Sequence, residues 1–299
     1  MAKLDEDYPG NMDIQKELTD AELIEKLKNT PVPSSIYNHT DEKKEGLYPS
    51  EISDLPSRGL CYPTDNPLST GKIELKYMTA REEDILTSQN LIQKGIMIDK
   101  LLKSLILTKI NYNDLLIGDK HAIMVATRIM AYGKDYPIEI KCPNCNETNN
   151  LVIDLQTIDD KEIDFDKLNR DNLYDYTLPA SKARITFKLL TVADEELIEQ
   201  ELRGLKKIQD TSKKTAIDKE FTTRLKYILK SVNDNTDSRT IRDFVDNMLS
   251  RDTLEFRKYL NSITPTLDMG YDFECGHCDY EKRMRIPMQA QFFWPDSDI

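Results

Sequence analysis

Two Cys-x-x-Cys pairs constrain this chain more than any other feature of its sequence. Cys142 and Cys145 form the first pair, and Cys275 and Cys278 form the second, far along the chain. Each turn of this kind presents two thiolates, which is half of the tetrahedral shell that a structural zinc ion requires. Four cysteines therefore predict one Zn²⁺ site, and sharing it requires two distant parts of the chain to pack together.

The predicted metal has a structural role, because four thiolates leave no coordination position for a water molecule. A redox-active dithiol and an iron–sulfur cluster use the same residues and stay open as alternatives. The first residues are charged where an export signal would be apolar. We therefore expect an intracellular, reducing compartment, in which cysteines bind metals more often than they form disulfides.

The overall charge argues against two classes of partner. The net charge is -12 and the isoelectric point is about 4.9, whereas nucleic-acid binding depends on clustered lysines and arginines. The most apolar stretch, residues 96–110, is interrupted by one aspartate and three lysines, so no membrane span is predicted. We expect neither nucleic acid nor a membrane as the main partner.

Residues 1–50 differ from the rest of the chain. They carry 11 acidic and 6 basic side chains and few large apolar ones, a composition that cannot form a core. Within them, Thr19 and Glu22 have the spacing of a capping box, and an apolar stripe follows within residues 18–27. The prediction is a largely flexible acidic arm with one short helix.

The remaining residues predict a helix-rich α+β fold. Period-two alternation marks strands and period-3.6 spacing marks helices. Strands are predicted at 73–77, 138–141, 151–155, 183–189, 271–274 and 283–288, and helices after Thr79, at 122–130 up to Gly133, and at 195–205, 216–232, 240–249 and 254–263.

The order of these predicted elements occurs twice. Thr79 and Thr191 each follow a strand and begin a helix, and apolar residues lie 6, 8 and 10 positions after Cys145 and again after Cys278. We interpret this as an internal duplication of strand, helices, strand, knuckle and strand. The two halves, residues 51–165 and 166–299, would share one zinc site. The alternative is two unrelated Cys-x-x-Cys turns and two unrelated capping boxes.

No sequence motif supports catalysis. The chain has no Gly-rich phosphate loop, no His-Glu-x-x-His and no Gly-x-Ser-x-Gly, so we do not expect an enzyme. Cys61 lies between Leu60 and Tyr62 and is interpreted as a small core residue, and His121 as a packed or surface residue. His277 lies inside the second knuckle, where four cysteines already complete the shell.

An aromatic run near the end of the sequence is the first candidate for partner binding. Phe292, Phe293 and Trp294 are adjacent, and Trp294 is the single tryptophan. Large rigid aromatic side chains are frequent at the centre of protein interfaces. The alternative is that the run folds back on the protein's own surface.

Three sequence segments carry a family resemblance: LPSRGLCYP at 55–63, GKIEL at 71–75 and MTAREEDIL at 78–86. Together with the paired knuckles and the Phe-Phe-Trp-Pro sequence at 292–295, they resemble the T-even-type bacteriophage baseplate hub proteins. The resemblance covers about residues 50–295. It implies a hub subunit or hub assembly factor that binds other baseplate proteins, in the host cell cytoplasm during assembly and in the tail baseplate.

A different function class is also compatible with the cysteine pairs. A zinc-ribbon module that binds nucleic acid or takes part in transcription has the same motif. Such a module requires a basic face, and Lys282, Arg283 and Arg285 form the only small cluster of that kind. The charge of the chain therefore favours a structural or assembly component over this alternative.

Overall fold

The computed structural model of the protein describes residues 49–212, 219–288 and 290–293. Within these ranges the chain forms eight α-helices and nine strands, and the strands make four small antiparallel sheets. This is the α+β fold that the sequence predicts. None of the described helices has the length and hydropathy that a membrane span requires. The short helix predicted within residues 18–27 lies outside the described residues.

The helices vary from six to 21 residues. They are α1 (Ala80–Thr87), α2 (Gln89–Lys94), α3 (Met97–Leu105), α4 (Ile117–Tyr132), α5 (Val192–Ser212), α6 (Glu220–Ile228), α7 (Ser238–Asp246) and α8 (Ser250–Ile263). The strands are β1 (Ser50–Asp54), β2 (Lys72–Lys76), β3 (Asp135–Lys141), β4 (Thr148–Asp154), β5 (Tyr174–Thr177), β6 (Arg184–Phe187), β7 (Leu229–Val232), β8 (Gly270–Glu274) and β9 (Glu281–Arg285). The sheets are β1-β2, β3-β4, β5-β6-β7 and β8-β9.

Two helices begin with the same polar arrangement. Before α1, the main-chain N–H and the hydroxyl of Thr79 donate to the Glu82 carboxylate, at 3.1 and 2.7 Å. At α5, the N–H and hydroxyl of Thr191 donate to Asp194, at 3.0 and 2.9 Å. Each acid also binds a lysine three positions before the threonine, Lys76 at 2.8 Å and Lys188 at 2.6 Å. These contacts fix where each strand turns into a helix.

A buried aspartate holds the start of α4 and the start of α8. Asp119 and Asp252 are each the third residue of their helix, and both are fully buried. Asp119 accepts the N–H of Ser57 at 3.0 Å, and Asp252 accepts the N–H groups of Ala180 and Ser181 at 2.6 and 2.9 Å. In both places the donors follow a Leu-Pro pair. Each carboxylate therefore ties a helix to the loop between two paired strands.

The main core continues through both parts of the chain. Around the three-stranded sheet, Phe187 packs edge-on against Phe256 at 5.0 Å between ring centroids and stacks on Tyr174 at 5.4 Å. Cys61 is 3% exposed, and its Sγ lies 3.6 Å from the Tyr174 hydroxyl. Burial raises the pKa of the Cys61 thiol to about 11. Cys61 is thus a core residue, as the sequence predicts.

The predicted helix at 216–232 needs correction. Helix α6 covers Glu220–Ile228, and Leu229–Val232 form β7, which pairs with β6. Residues 229, 231 and 232 are buried, so this segment obtains its hydrogen bonds from the neighbouring strand rather than from another helical turn. The short strands β1 and β5 were not predicted, because four or five residues with mixed polarity give little periodic signal.

Candidate metal centre

Two β-hairpins present the four cysteines. Strand β3 ends directly before Cys142, and β8 ends directly before Cys275. The N–H of Cys142 donates to the Glu147 carbonyl at 2.9 Å, and the N–H of Cys275 donates to the Tyr280 carbonyl at 3.0 Å. Each turn is therefore closed by a main-chain hydrogen bond, which turns both thiols of a pair toward the same side.

The structure brings all four sulfur atoms together. The Sγ atoms of Cys142 and Cys278 are 3.8 Å apart, those of Cys145 and Cys275 are 3.7 Å apart, and all four lie within 4.8 Å of one another. Tetrahedral zinc with bonds of about 2.3 Å to sulfur places sulfur atoms about 3.8 Å apart, whereas a disulfide requires about 2.05 Å. The cluster is compatible with a metal site.

Several N–H groups point at these sulfurs. The Sγ of Cys275 accepts the main-chain N–H of His277 at 3.4 Å and the Asn149 amide at 3.6 Å. The Sγ of Cys278 accepts the Asn144 amide at 3.6 Å. Hydrogen bonds of this kind favour thiolates and orient metal ligands. His277 contributes its main chain here.

The pKa values of two of the thiols move in opposite directions. Burial opposes ionisation of Cys275, but the N–H of His277 and the neighbouring thiols lower its pKa to about 6. The N–H of Glu147 favours ionisation of Cys145, but burial and the three other cysteines raise its pKa to about 12. Four adjacent thiolates repel each other, so a bound cation is required for all four to ionise.

Asn149 joins the two hairpins beside the cluster. Its Oδ1 accepts the Gly276 N–H at 2.8 Å, and its Nδ2 contacts both the Glu147 carbonyl at 3.1 Å and Cys275. The residue is 7% exposed. The sequence interpretation missed this contact. The available signal was a polar side chain in phase with the apolar residues Leu151 and Ile153 of β4.

For two residues of the aromatic run near the end of the sequence, the structure matches the alternative that the run folds back on the protein itself. Phe292 and Phe293 are fully buried, and the Phe292 ring packs edge-on against Tyr136 at 5.0 Å. They present no ring surface to a partner in this structure, because the segment folds back against the start of β3. Trp294 lies outside the described residues.

The remaining histidine candidate, His121, lies on α4 next to Arg285. Burial and the nearby Lys120 and Arg285 charges lower its pKa, so the imidazole is neutral near pH 7. The carboxylate of Glu195 acts on the imidazole in the opposite direction but is outweighed by burial and the two cations. This agrees with the interpretation of His121 as a packed residue.

Comparison with protein families shows which family the chain resembles. A family model described as "T4 bacteriophage base plate protein" matches residues 60–294, which is well over half of the chain and includes all four cysteines. Comparison with curated proteins gives no match, and comparison with solved structures gives none either.

Proposed function

This chain belongs to the T4 bacteriophage base plate protein family, and from this premise we propose that it is a structural or assembly component of the baseplate hub. The family match is the observation that carries the proposal, together with the segments at 55–63 and 78–86 that resemble hub proteins. The protein would act through contacts with other baseplate proteins rather than through catalysis. It would be found in the host cytoplasm during assembly and in the tail baseplate.

The proposed metal is Zn²⁺, held by Cys142, Cys145, Cys275 and Cys278. Sulfur distances of 3.7 and 3.8 Å between the hairpins support a tetrahedral ion of this size. A closed shell of four thiolates supplies cross-linking and no open position for a substrate. The ion would fasten the β3-β4 hairpin to the β8-β9 hairpin, and with them the two parts of the chain.

We further propose that the chain contains two copies of one structural unit, residues 51–165 and 166–299, preceded by an acidic arm at 1–50. The hairpin registers support this proposal. Lys141 pairs with Thr148 and Glu274 pairs with Glu281, and both members of the second pair lie 133 positions later (274 minus 141, 281 minus 148). Both knuckle turns are closed by the same main-chain hydrogen bond.

The helix starts support the duplication independently. The threonine–acid–lysine arrangement occurs before α1 and at α5. A buried aspartate at the third helical position binds the loop after a Leu-Pro pair at α4 and again at α8. Unrelated segments would have to reach the same buried polar contacts twice. Duplication of an ancestral unit is the simpler explanation.

The nucleic-acid module receives less support from the basic cluster on β9. Arg283 lies 2.7 Å from Asp268 and 3.6 Å from Asp272. Nearby acids thus reduce the positive potential that phosphate binding requires.

A complementation experiment tests the proposed function. Phage lacking this gene should fail to form complete baseplates, as judged by electron microscopy of infected cells. Supplying the wild-type gene should restore them, and a Cys142→Ser, Cys275→Ser double variant should restore fewer. Cys61→Ala, which removes the cysteine outside the cluster, is the matched control. Normal baseplates without the protein would contradict the proposal, and a tight, salt-sensitive complex with DNA or RNA would favour the alternative module.

A further inference from the structure

Inside the chain, a strand-to-helix turn covers the start of α4. The N–H of Ile117 donates to the Leu190 carbonyl at 3.1 Å, and the N–H of Val192 donates to the Leu115 carbonyl at 2.8 Å. Leu116 is 2% exposed and Val192 is 1% exposed. The turn between β6 and α5 therefore makes a paired, apolar contact with the beginning of α4.

The start of α8 corresponds to the start of α4, but no strand-to-helix turn of the described chain covers it. Asp252 occupies the position of Asp119 in its helix, so Leu249 corresponds to Leu116. Leu249 is 53% exposed, whereas Leu116 is buried. No strand-to-helix turn is bonded to Leu249 or its neighbours in the part of the chain that the structure describes.

The turn between β2 and α1 corresponds to the turn between β6 and α5, but it does not contact a helix start in the described part of the chain. Its capping box corresponds to the one at Thr191, so Ala80 corresponds to Val192. Ala80 is exposed, whereas Val192 is buried. Among residues 49–212, 219–288 and 290–293, the chain thus has one helix start that no strand-to-helix turn covers and one such turn that covers no helix start.

The two open surfaces are complementary in chemistry. Next to the α8 start, Leu254 is 51% exposed and Phe221 is 39% exposed, and they line a groove of about 610 Å³ between α6 and α8. Arg257 lies over the Phe221 ring at 4.9 Å, and Arg251 is exposed on the same helix. After Ala80, helix α1 carries acids at positions 83 and 84, which are exposed. The exposed acids of α1 and the arginines of α8 carry opposite charges, which favours a contact between these two surfaces.

We infer that the β2-α1 turn of one copy docks on the α8 start of a second copy, repeating between chains the contact that exists inside one. The inference rests on the proposed duplication. The contact joins two different surfaces, so each copy keeps one surface open after binding. Contacts of this head-to-tail type build rings when the rotation closes and filaments when it does not.

Purified full-length protein with its metal provides the test, by sedimentation velocity over a range of concentrations. We expect the wild type to form species larger than a dimer. Leu254→Arg blocks the groove and Ala80→Arg blocks the turn, and each should weaken association by about thirtyfold or more. Both residues are exposed in the monomer, so folding should be unaffected. Val152→Arg, at an exposed position of β4, is the control and should associate as the wild type does.

Mixing the two variants gives the sharpest result. The intact turn of the Leu254→Arg copy should dock on the intact groove of the Ala80→Arg copy, and assembly should stop at this dimer because both outer surfaces are blocked. A wild type that stays monomeric at about 100 μM, or variants that fail to form the mixed dimer, would overturn the inference. So would a different baseplate protein occupying the groove. None of these results depends on baseplate assembly in cells, so the proposed function would be unaffected.

Discussion

The guanidinium of Arg128 donates a hydrogen bond to the main-chain carbonyl of Phe292, at 3.0 Å and across 164 positions of sequence. A second bond reaches the Gly133 carbonyl at 3.2 Å, and the guanidinium lies 5.0 Å from the Tyr132 ring. Arg128 is 1% exposed. Residues 290–293 are thereby fixed against α4, so Phe292 and Phe293 belong to the core of the protein.

Replacing Phe292 with alanine should destabilise the fold. The buried ring leaves a cavity beside Tyr136, and the free energy of unfolding should fall by about 3–5 kcal/mol. Urea denaturation measures the change. Phe221→Ala, at a partly exposed ring, should cost about 1 kcal/mol or less. If Phe292→Ala lowered the free energy of unfolding by as little as Phe221→Ala, the segment at 290–293 would contribute little to the stability of the core.

Metal analysis of the purified protein should give one zinc ion per chain. Removing it should lower the free energy of unfolding by several kcal/mol, because the site is absent in the unfolded chain. Cobalt substitution should give the absorption bands of a tetrahedral thiolate site, and Cys275→Ser should weaken them. Cys61→Ala should leave metal content unchanged. A protein that purifies without metal and melts unchanged with a chelator would contradict the prediction.

Gly118 and Gly204 should respond to alanine in opposite ways. A Cβ added at Gly118 would lie 1.8 Å from the Pro265 carbonyl oxygen, and main chain cannot move aside easily, so we expect a loss of about 3 kcal/mol. A Cβ at Gly204 meets nothing within 4 Å inside α5, so Gly204→Ala should gain about 0.5–1 kcal/mol. Thermal unfolding of both variants tests the pair. If Gly118→Ala left the stability unchanged, α4 and the segment at 264–266 would be able to move apart at little cost in free energy.

The Glu82 carboxylate should make stability depend on acid pH. Burial raises its pKa, but hydrogen bonds from Lys76 and Thr79 lower it more, so the net pKa is lowered in the folded protein. A carboxylate of this kind stabilises the fold above its unfolded pKa of about 4.3 and loses that effect as pH falls through the folded value. Glu82→Gln should therefore cost about 1.5 kcal/mol at pH 7. The difference from wild type should shrink between about pH 5 and pH 3.

The matched variant Glu83→Gln removes an exposed carboxylate from the same helical turn. It should change the free energy of unfolding by less than about 0.5 kcal/mol at either pH. A Glu82→Gln penalty that persists unchanged at pH 3 would mean that shape rather than charge holds the capping box together.

Asp119→Ala and Asp252→Ala should be similarly destabilising. Asp119 accepts the N–H and hydroxyl of Ser57 and the hydroxyl of Tyr62, and Asp252 accepts two main-chain N–H groups, so each substitution leaves buried donors without their acceptor. We expect losses of about 3 kcal/mol for each, measured by chemical denaturation. A large loss at one site alone would argue against equivalent roles and weaken the proposed duplication.

Local signals in the sequence were sufficient for much of the fold. Gly133 ends α4 as predicted, and Thr79 begins α1 through a capping box with Glu82, three positions later in the sequence. The grouping of the four cysteines was predicted because two Cys-x-x-Cys turns in one chain are typical of a shared metal site. In each case the residues that decide the structure are a few positions apart or chemically distinctive.

Contacts between distant segments were not predictable in this way. Nothing near Phe292 in the sequence indicates that Arg128 binds its carbonyl, and three adjacent aromatics have no period that separates core from surface. Strand β7 escaped prediction because its strand character depends on a partner, β6, more than 40 residues earlier. The role of Asn149 was missed for the same reason, because its hydrogen-bond partner Gly276 lies 127 positions later in the sequence. The structure of such residues depends on tertiary packing rather than on the local sequence.

The distance along the chain between the two knuckles also sets an order of events during synthesis. Cys145 and Cys275 are 130 positions apart, and a ribosome adds about 5–20 residues per second. The first pair of thiols is therefore made roughly 6–26 seconds before the second pair. Throughout that interval the β3-β4 hairpin has two cysteines and no second hairpin, so the four-sulfur cluster forms only after Cys278 has been translated.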